Sequence, residues 1–409
     1  MIISRPDVPL NCVVQLPASK SISNRALLLN ALSGSPYPVE NLSDSDDTRA
    51  MQEVFASDGA CFDIGHAGTT MRFLTAYLAR KKGVWTLTGS ERMKQRPIAV
   101  LVEALRNLGA DIEYLANDGF PPLKIIGRQL RGGAVSIDGS VSSQYISALL
   151  LIAPLMAEGL TLTLQNRITS RSYIELTLGL MRQFGIRYSW TDRQICIPEQ
   201  EYHPTPLRIE ADWSGASYWY EMLALSHSGR VELPGLQYPG LQGDSAIAGW
   251  FPQFGITTEN RHNSVIISKQ TNIQPDFLEL DFIENPDMAQ TMAALCVFKG
   301  IPFLFSGLET LKIKETDRIA ALRTELAKFG ARLTEPQHGY LAWDGAVSRP
   351  KPLIPAIATY HDHRMALSFA PAAMLAPVII DDPMVVTKSY PAFYEDLKKA
   401  GFLCKDAIV

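Results

Sequence analysis

Apolar positions along the chain gather into blocks of helical length, and shorter alternating runs of strand character separate them. Six blocks share an ending, a Gly followed by a small or apolar residue: RAMQEVFASDGA (49–60), AVLVEALRNLGA (99–110), IELTLGLMRQFGI (174–186), AIAGWFPQFGI (246–256), IAALRTELAKFGA (319–331) and AFYEDLKKAGF (392–402). Each Gly stands where a helix C-cap is expected. Six further blocks, rich in Ala and Leu and opening on small or polar residues, alternate with them at 23–34, 67–79, 142–159, 214–229, 288–300 and 363–376. Strand-like runs follow, for example at 85–90, 160–167, 231–236 and 303–308.

The marker glycines at 59, 109, 185, 255, 330 and 401 are 50, 76, 70, 75 and 71 residues apart, which is the signature of an internal repeat with a short first copy. A unit that alternates strands and helices cannot cover its own apolar faces and must pack on its neighbours. Three such units make a domain of ordinary size, about 200 residues. Two α/β domains of three repeats each is the simplest arrangement.

Composition narrows the class. With 409 residues, 46% hydrophobic and 20% charged, the chain is globular rather than fibrous or disordered. The apolar runs at 148–156 and 367–380 are broken by Pro154, Pro371 and Pro377, so they predict buried helix followed by strand, and no membrane partner is expected. Residues 1–15 lack a signal-peptide pattern and predict a strand entering the fold of a cytoplasmic protein. Cysteines 12, 61, 196, 296 and 404 lie 49 or more residues apart, a spacing that suits neither a disulfide framework nor a zinc site. A net charge of −4 argues against a nucleic-acid partner, so any bound anion must meet a local concentration of Lys and Arg.

Such concentrations occur where the blocks begin. The loop at 17–25 carries Lys20, Ser21 and Arg25; 65–72 carries His66, Gly68 and Arg72; 91–97 carries Arg92, Lys94 and Arg96; 139–145 carries Ser142, Ser143 and Gln144; 169–173 carries Ser170, Arg171 and Tyr173. Helix N-termini present free N–H groups and partial positive charge, so cations and hydroxyls there suit phosphate or carboxylate. Taken singly, each loop also fits a capped surface helix, a tight turn or a solvated charge run. Acid and base candidates lie downstream: Asp287, then Lys314, Glu315 and Arg318, then His361, His363 and Arg364, then Lys388. Lys314 and Arg318 would share a helix face if the helix began by Lys314. The two histidines lack further ligands at metal-binding spacing, so no metal is expected. Eleven cations fall at equivalent loop positions of an acidic protein: Lys20, Arg25, Arg72, Arg92, Lys94, Arg96, Arg171, Lys314, Arg318, Arg364 and Lys388. Should the two domains face each other through these loops, a cleft for several anionic groups results.

These motifs resemble the EPSP synthase family of enolpyruvyl transferases. The matches are SKSxSNR at 19–25, AGTxMR at 67–72, RMKxRPI at 92–98, DGSxSSQ at 138–144, KETDR at 314–318, DHRMA at 362–366 and the Lys388 loop, in family order along the whole chain. The resemblance implies two inverse α/β domains of three βαβαββ-type repeats, 1–17 plus 212–409 and 18–211, with the active site in the cleft between them. It implies that phosphoenolpyruvate gives its enolpyruvyl group to the 5-hydroxyl of 3-phosphoshikimate through a tetrahedral intermediate, without cofactor, in a monomer. By the same resemblance Lys20, Ser21, Arg25, Ser142, Ser143, Gln144, Ser170, Tyr173, Asp287, Thr310 and Lys314 hold 3-phosphoshikimate. Lys20, Gly68, Arg72, Arg92, Gln144, Arg318, Arg364 and Lys388 hold phosphoenolpyruvate. Asp287 takes the hydroxyl proton, Glu315 protonates the methylene carbon, and Lys20 and Lys388 stabilise charge.

The sequence departs from the family pattern at His66 and Thr310, where Asn is usual, and at Phe73, where Pro often follows the motif arginine. Residues 47–66 are too few for a helix and a strand pair, so the first repeat is expected to be trimmed. Gly68 favours the glyphosate sensitivity associated with the family. The related UDP-N-acetylglucosamine enolpyruvyl transferases usually carry a reactive Cys in the third loop, and 91–97 has none. A noncatalytic anion-binding relative would lack Asp287 or Glu315; both are present.

Overall fold

In the computed structural model, which describes residues 1–348 and 354–406, the Ala- and Leu-rich blocks form the innermost helices. These are Lys20–Ser33, Gly68–Arg80, Ser143–Ile152, Trp213–Leu225, Ala289–Lys299 and His363–Phe369. A helix that is apolar on every side belongs in a core. Within Trp213–Leu225, every residue but Ser214 is buried. Most Gly-ended blocks form helices with one covered face: Asp46–Ala56, Ala99–Asn107, Arg171–Gln183, Arg318–Ala327 and Phe393–Lys399. Residues 246–256 differ. There a short helix, Ile247–Trp250, gives way to a 3-10 turn, Phe251–Phe254, because Pro252 offers no N–H and its ring crowds the preceding turn.

Three local expectations need correction. Gly109, Gly185, Gly255, Gly330 and Gly401 follow their helices with positive φ, but Gly59 does not. The helix before it stops at Ala56, and extended Ser57 carries the chain straight out, so no left-handed residue is required. The N-terminus forms two strands, Ile2–Ser4 and Leu10–Val13, in different sheets, with Pro6 and Pro9 unable to donate between them. Lys314 precedes its helix, which starts at Arg318 with Asp317 as N-cap accepting from the Ala320 N–H.

The chain divides into two compact units, Met1–Pro17 with Glu210–Val409, and Ala18–Ile209. Each has its own apolar core and three sheets. In a full repeat a strand, an inner helix and a parallel strand are followed by a second helix and an antiparallel hairpin. Residues 133–197 show the pattern: Gly133–Asp138 pairs parallel with Leu160–Gln165, which pairs antiparallel with Gln194–Ile197, itself paired with Ser189–Thr191. Residues 61–127 repeat it, with Cys61–Asp63 parallel to Gly83–Thr88 and the strands Leu123–Gly127 and Asp111–Tyr114 beyond.

The first repeat is reduced to the parallel pair Leu207–Arg208 and Val39–Glu40. Its second helix, Asp46–Ala56, fits in the shortened segment, and the hairpin is what is missing: the chain passes directly to Cys61–Asp63 of the next sheet. In the other unit, Leu10–Val13 lies parallel to Gly229–Pro234. The last sheet is completed from the far end of the sequence, since Ile2–Ser4 inserts antiparallel between Val378–Ile380 and Leu403–Lys405. No helix among the described residues is long and apolar enough to cross a membrane.

Candidate active site

In Ala18–Ile209 the inner helices open on serines and glycine. Ser19 accepts from the Ile22 N–H, and Ser142 accepts from the Gln144 N–H. Neutral caps of this kind leave the positive helix end uncompensated by any acid of the first turn. Lys20 and Ser21 stand in the first turn of one helix, Ser143 and Gln144 in that of another, and Gly68 begins the third. Gln144 Nε2 donates to Thr69 Oγ1 at 3.2 Å, which ties the second and third of these helix starts together.

Arg25 is buried beneath them. Its Nε donates to Thr177 Oγ1 at 2.7 Å, Nη1 to the Ser21 carbonyl at 2.8 Å, and Nη2 to Ser147 Oγ at 3.1 Å and the Tyr173 carbonyl at 3.4 Å. All four partners are uncharged. Burial without a carboxylate pulls the guanidinium down to about 10. Phe73 lies beneath that guanidinium, 5.4 Å from ring centre to Cζ, in an unbroken helix. The departure at 73 therefore supplies a platform for Arg25.

Ser170 is buried with φ 53° at the start of Arg171–Gln183, and its side chain makes no capping bond. Tyr173 follows one turn later and bonds Arg25 through its carbonyl. Arg72 is buried; its guanidinium donates to the Gly68 and Pro97 carbonyls and lies 5.7 Å over the Tyr145 ring. Arg92 is exposed, and a Cβ at Gly68 would come within 2.6 Å of Arg96 Nη1. His66 Nε2 lies 3.4 Å from Asp46 Oδ2. Two of the eleven cations are paired with exposed acids: Lys94 with Glu91, and Arg171 with Glu175, the latter also lying over Trp190.

In the other unit two of the three inner helices have acidic caps, and the third follows Met288 without a side-chain cap. Asp212 accepts from the Gly215 N–H, and Asp362 accepts from the Arg364 N–H. Between the inner helix starts sits Asp287, on the 3-10 turn Pro286–Met288. Its Oδ1 meets Arg318 Nη1 at 2.7 Å and Lys314 Nζ at 3.6 Å, and its Oδ2 meets Arg364 Nη2 at 3.2 Å. Burial opposes its charge, but Arg364, Lys314 and Arg318 outweigh burial and hold the carboxyl well below the usual carboxylate range.

Glu315 lies alongside, with Oε2 2.9 Å from Arg318 Nη2 and Oε1 2.6 Å from Lys388 Nζ. Although Lys314 is not helical, it and Arg318 still converge on one carboxylate oxygen. Arg318 is 1% exposed and also grips Asp362 with Nε and Nη2, at 2.7 and 3.2 Å. Burial works against its charge, and Asp362, Glu315 and Asp287 more than offset it, so the guanidinium is held above its ordinary value. Thr310 Oγ1 is buried and has no hydrogen-bond partner among the described residues.

Three members of this cluster were not singled out from sequence as site residues. Asp362 grips the Arg318 guanidinium and caps the helix start at Arg364; Ser214 Oγ lies 3.4 Å from Arg364 Nη2; and Asp244, whose carboxyl burial pushes up, accepts from Ser214. Ser214 occupies the start of the fourth inner block, equivalent to Ser142 and Ser143, and that equivalence was the available signal. No group of three or more metal-ligating side chains occurs among the described residues.

Two units of three α/β repeats, one carrying serine-capped helix starts with cations and the other two carboxylates clamped by Lys and Arg, define an enzyme class that handles anionic small molecules. A family model for EPSP synthase (3-phosphoshikimate 1-carboxyvinyltransferase) matches residues 4–61 and 55–397, and the chain belongs to that family. A 3-phosphoshikimate 1-carboxyvinyltransferase of Bacteroides fragilis (strain YCH46) is 50% identical over 395 residues, covering 96% of both chains. One from Vibrio atlanticus (strain LGP32) is 37% identical over 417 residues, covering 94% of this chain and 96% of its own. The EPSP synthase structure from Acinetobacter baumannii has the same fold, with a TM-score of 0.80 at 21% identity over 99% of both chains.

Proposed function

We propose that the chain transfers the enolpyruvyl group of phosphoenolpyruvate to the 5-hydroxyl of 3-phosphoshikimate, releasing phosphate. The observation that carries this reading is Asp287 held among Arg364, Lys314 and Arg318, with Glu315 between Arg318 and Lys388. In the first half-reaction the hydroxyl oxygen bonds to C2 of phosphoenolpyruvate, its proton passes to Asp287, and Glu315, reacting in its protonated form, delivers its own proton to C3 and is left as the carboxylate. In the second, the C2–O bond to phosphate breaks, C3 returns its proton to Glu315, and the Asp287 proton leaves with phosphate.

A carboxylate pinned by three cations is a weak base. When the anionic groups of the substrates engage Arg364 and Lys314, those cations release part of their hold on Asp287 and its basicity rises. The sequence resemblance supports Arg25, Lys20, Ser21, Ser142, Ser143, Gln144, Ser170, Tyr173, Thr310 and Lys314 as the 3-phosphoshikimate set. It supports Gly68, Arg72, Arg92, Arg318, Arg364 and Lys388 as the phosphoenolpyruvate set, with Lys20 and Gln144 shared between the two. Arg25 fits a phosphate especially well, being a buried cation whose four partners are neutral.

We further take 1–17 with 212–409 and 18–211 as the two functional domains, and the protein as a cytoplasmic monomer that needs no nucleic acid. Sedimentation at twice the single-chain mass would overturn the monomer. The activity test is phosphate release from phosphoenolpyruvate. Release only with 3-phosphoshikimate present is expected, and release with a UDP-sugar acceptor instead would contradict the reading.

A further inference from the structure

Asp362 does three things at once: it grips Arg318 through Nε and Nη2 and accepts from the Arg364 backbone N–H, so it fixes the guanidinium of one arginine that holds Asp287 and caps the helix start that carries the other. What sets Asp362 lies just before it. Tyr360 and His361 both have φ of 55°, and the Asp362 N–H donates to the Thr359 carbonyl, which makes a turn with positive φ at both central residues. Asn-Gly is the pair that suits such a turn, and two ring-bearing residues are poorly suited to it. Each instead spends its side chain on an anchor. Tyr360 Oη donates to Glu325 Oε1 at 2.8 Å, and His361 Nδ1 lies 3.2 Å from Asp382 Oδ2, just ahead of the turn Pro383–Lys388.

Glu325 is buried, and its other oxygen accepts from the Ala358 N–H and from Lys328. It also sits seven residues after Arg318 in the helix Arg318–Ala327, two turns on and on the same face. That helix therefore grips the segment 358–362 at two points, Arg318 on Asp362 and Glu325 on Ala358 and Tyr360. No motif in the sequence joins these residues, and neither Glu325 nor Tyr360 is within hydrogen-bond reach of Asp287 or Glu315 among the described contacts.

We propose that Glu325 and Tyr360 are positioning residues, which hold a strained turn in the one conformation that keeps Asp362 on Arg318 and so fixes Asp287 and Glu315 for proton transfer. This rests on the assignment of Asp287 and Glu315 under the proposed function. A side chain that orients catalytic groups without touching substrate affects kcat more than substrate binding.

The test compares Tyr360→Phe, Tyr360→Asn and Glu325→Gln in the full chain, with kcat counted per molecule competent to bind 3-phosphoshikimate by calorimetry. Tyr360→Phe is expected to lower kcat about tenfold while KM for 3-phosphoshikimate changes less than about twofold. Tyr360→Asn accepts the left-handed backbone but loses the reach to Glu325, so it is expected to fall as far. Glu325→Gln keeps an acceptor for Tyr360 and is expected to fall less, and it serves as the test if the Tyr360 variants do not fold. Wild-type kcat in Tyr360→Phe, or a Tyr360→Asn protein as fast as wild type, overturns the proposal, the latter because it would leave only a turn-forming role. Asp287→Ala assayed beside them separates the two layers: an active Asp287→Ala enzyme means that the site assignment itself is wrong, whereas an inactive one beside a normal Tyr360→Phe condemns the positioning role alone.

Discussion

Arg25 and Arg318 are both buried arginines, and their surroundings are opposite. Arg25 has hydroxyls and carbonyls around it; Arg318 has three carboxylates. A buried cation without a counter-ion gains most from an incoming anion, so the surroundings of Arg25 suit anion capture, whereas Arg318 already organises three of the protein's own acids and would meet phosphoenolpyruvate with part of its charge spoken for. Arg25→Met is expected to cost less than about 1 kcal/mol of ligand-free stability, since an apolar side chain replaces a desolvated charge. The same variant should lose the thermal stabilisation that 3-phosphoshikimate gives the parent, and scanning calorimetry with and without ligand reads both effects.

At Gly68 the backbone φ is ordinary, so Gly68→Ala adds no backbone strain, but its Cβ would lie 2.6 Å from Arg96 Nη1 and that guanidinium must shift. A raised KM for phosphoenolpyruvate with a nearly unchanged KM for 3-phosphoshikimate is the expected outcome. Asp287 carries a pH signature. Its folded pKa is depressed, so the stability it contributes is present above the unfolded value of about 3.9 and is lost as pH falls toward the folded value. Acid titration of stability should therefore be flatter for Asp287→Asn than for the parent below about pH 4. The sequence announced the residue types here but not their pairing, because nothing local reveals that Arg318 meets three carboxylates and Arg25 only neutral groups.

Among the elements, the two units cap their inner helices differently. Ser19 and Ser142 leave helix ends in one unit open to an external anion, while Asp212 and Asp362 in the other supply the negative charge internally. This division suits phosphate capture by one unit and acid–base work by the other. Helix ends were legible where the cause is local. Five marker glycines follow helices because the chain turns through the left-handed region there, and Gly59 misled because the chain leaves in an extended direction. Gly401→Ala, at φ 90° with open space around it, is expected to cost about 1 kcal/mol, and Gly59→Ala about half that or less. Urea unfolding distinguishes them. The start at Arg318 rather than Lys314 was hidden because Asp317 takes the cap, and a run of charged residues gives no apolar phase by which to place it.

For the molecule as a whole, repetition was readable because every copy solves the same packing problem, and the missing first hairpin was announced by the shortened interval before Gly109. Pairings between distant segments were not readable. Ile2–Ser4 completes a sheet nearly four hundred residues away in sequence, and no local pattern says which edge it joins. Ile3 is fully buried there, so Ile3→Ala is expected to cost about 2–4 kcal/mol in chemical denaturation, far more than a frayed terminus would. The Tyr360 and Glu325 contact escaped notice for the same reason, since 35 residues separate its partners.

The proposed mechanism gives the hydroxyl proton to Asp287, a carboxylate held by three cations. Its most direct test is the turnover of Asp287→Ala in an assay of phosphate release from phosphoenolpyruvate and 3-phosphoshikimate, with folding checked by circular dichroism. A folded protein with kcat reduced by about a hundredfold or more is predicted. A folded Asp287→Ala protein that turns over at close to the parent rate would remove Asp287 from that role.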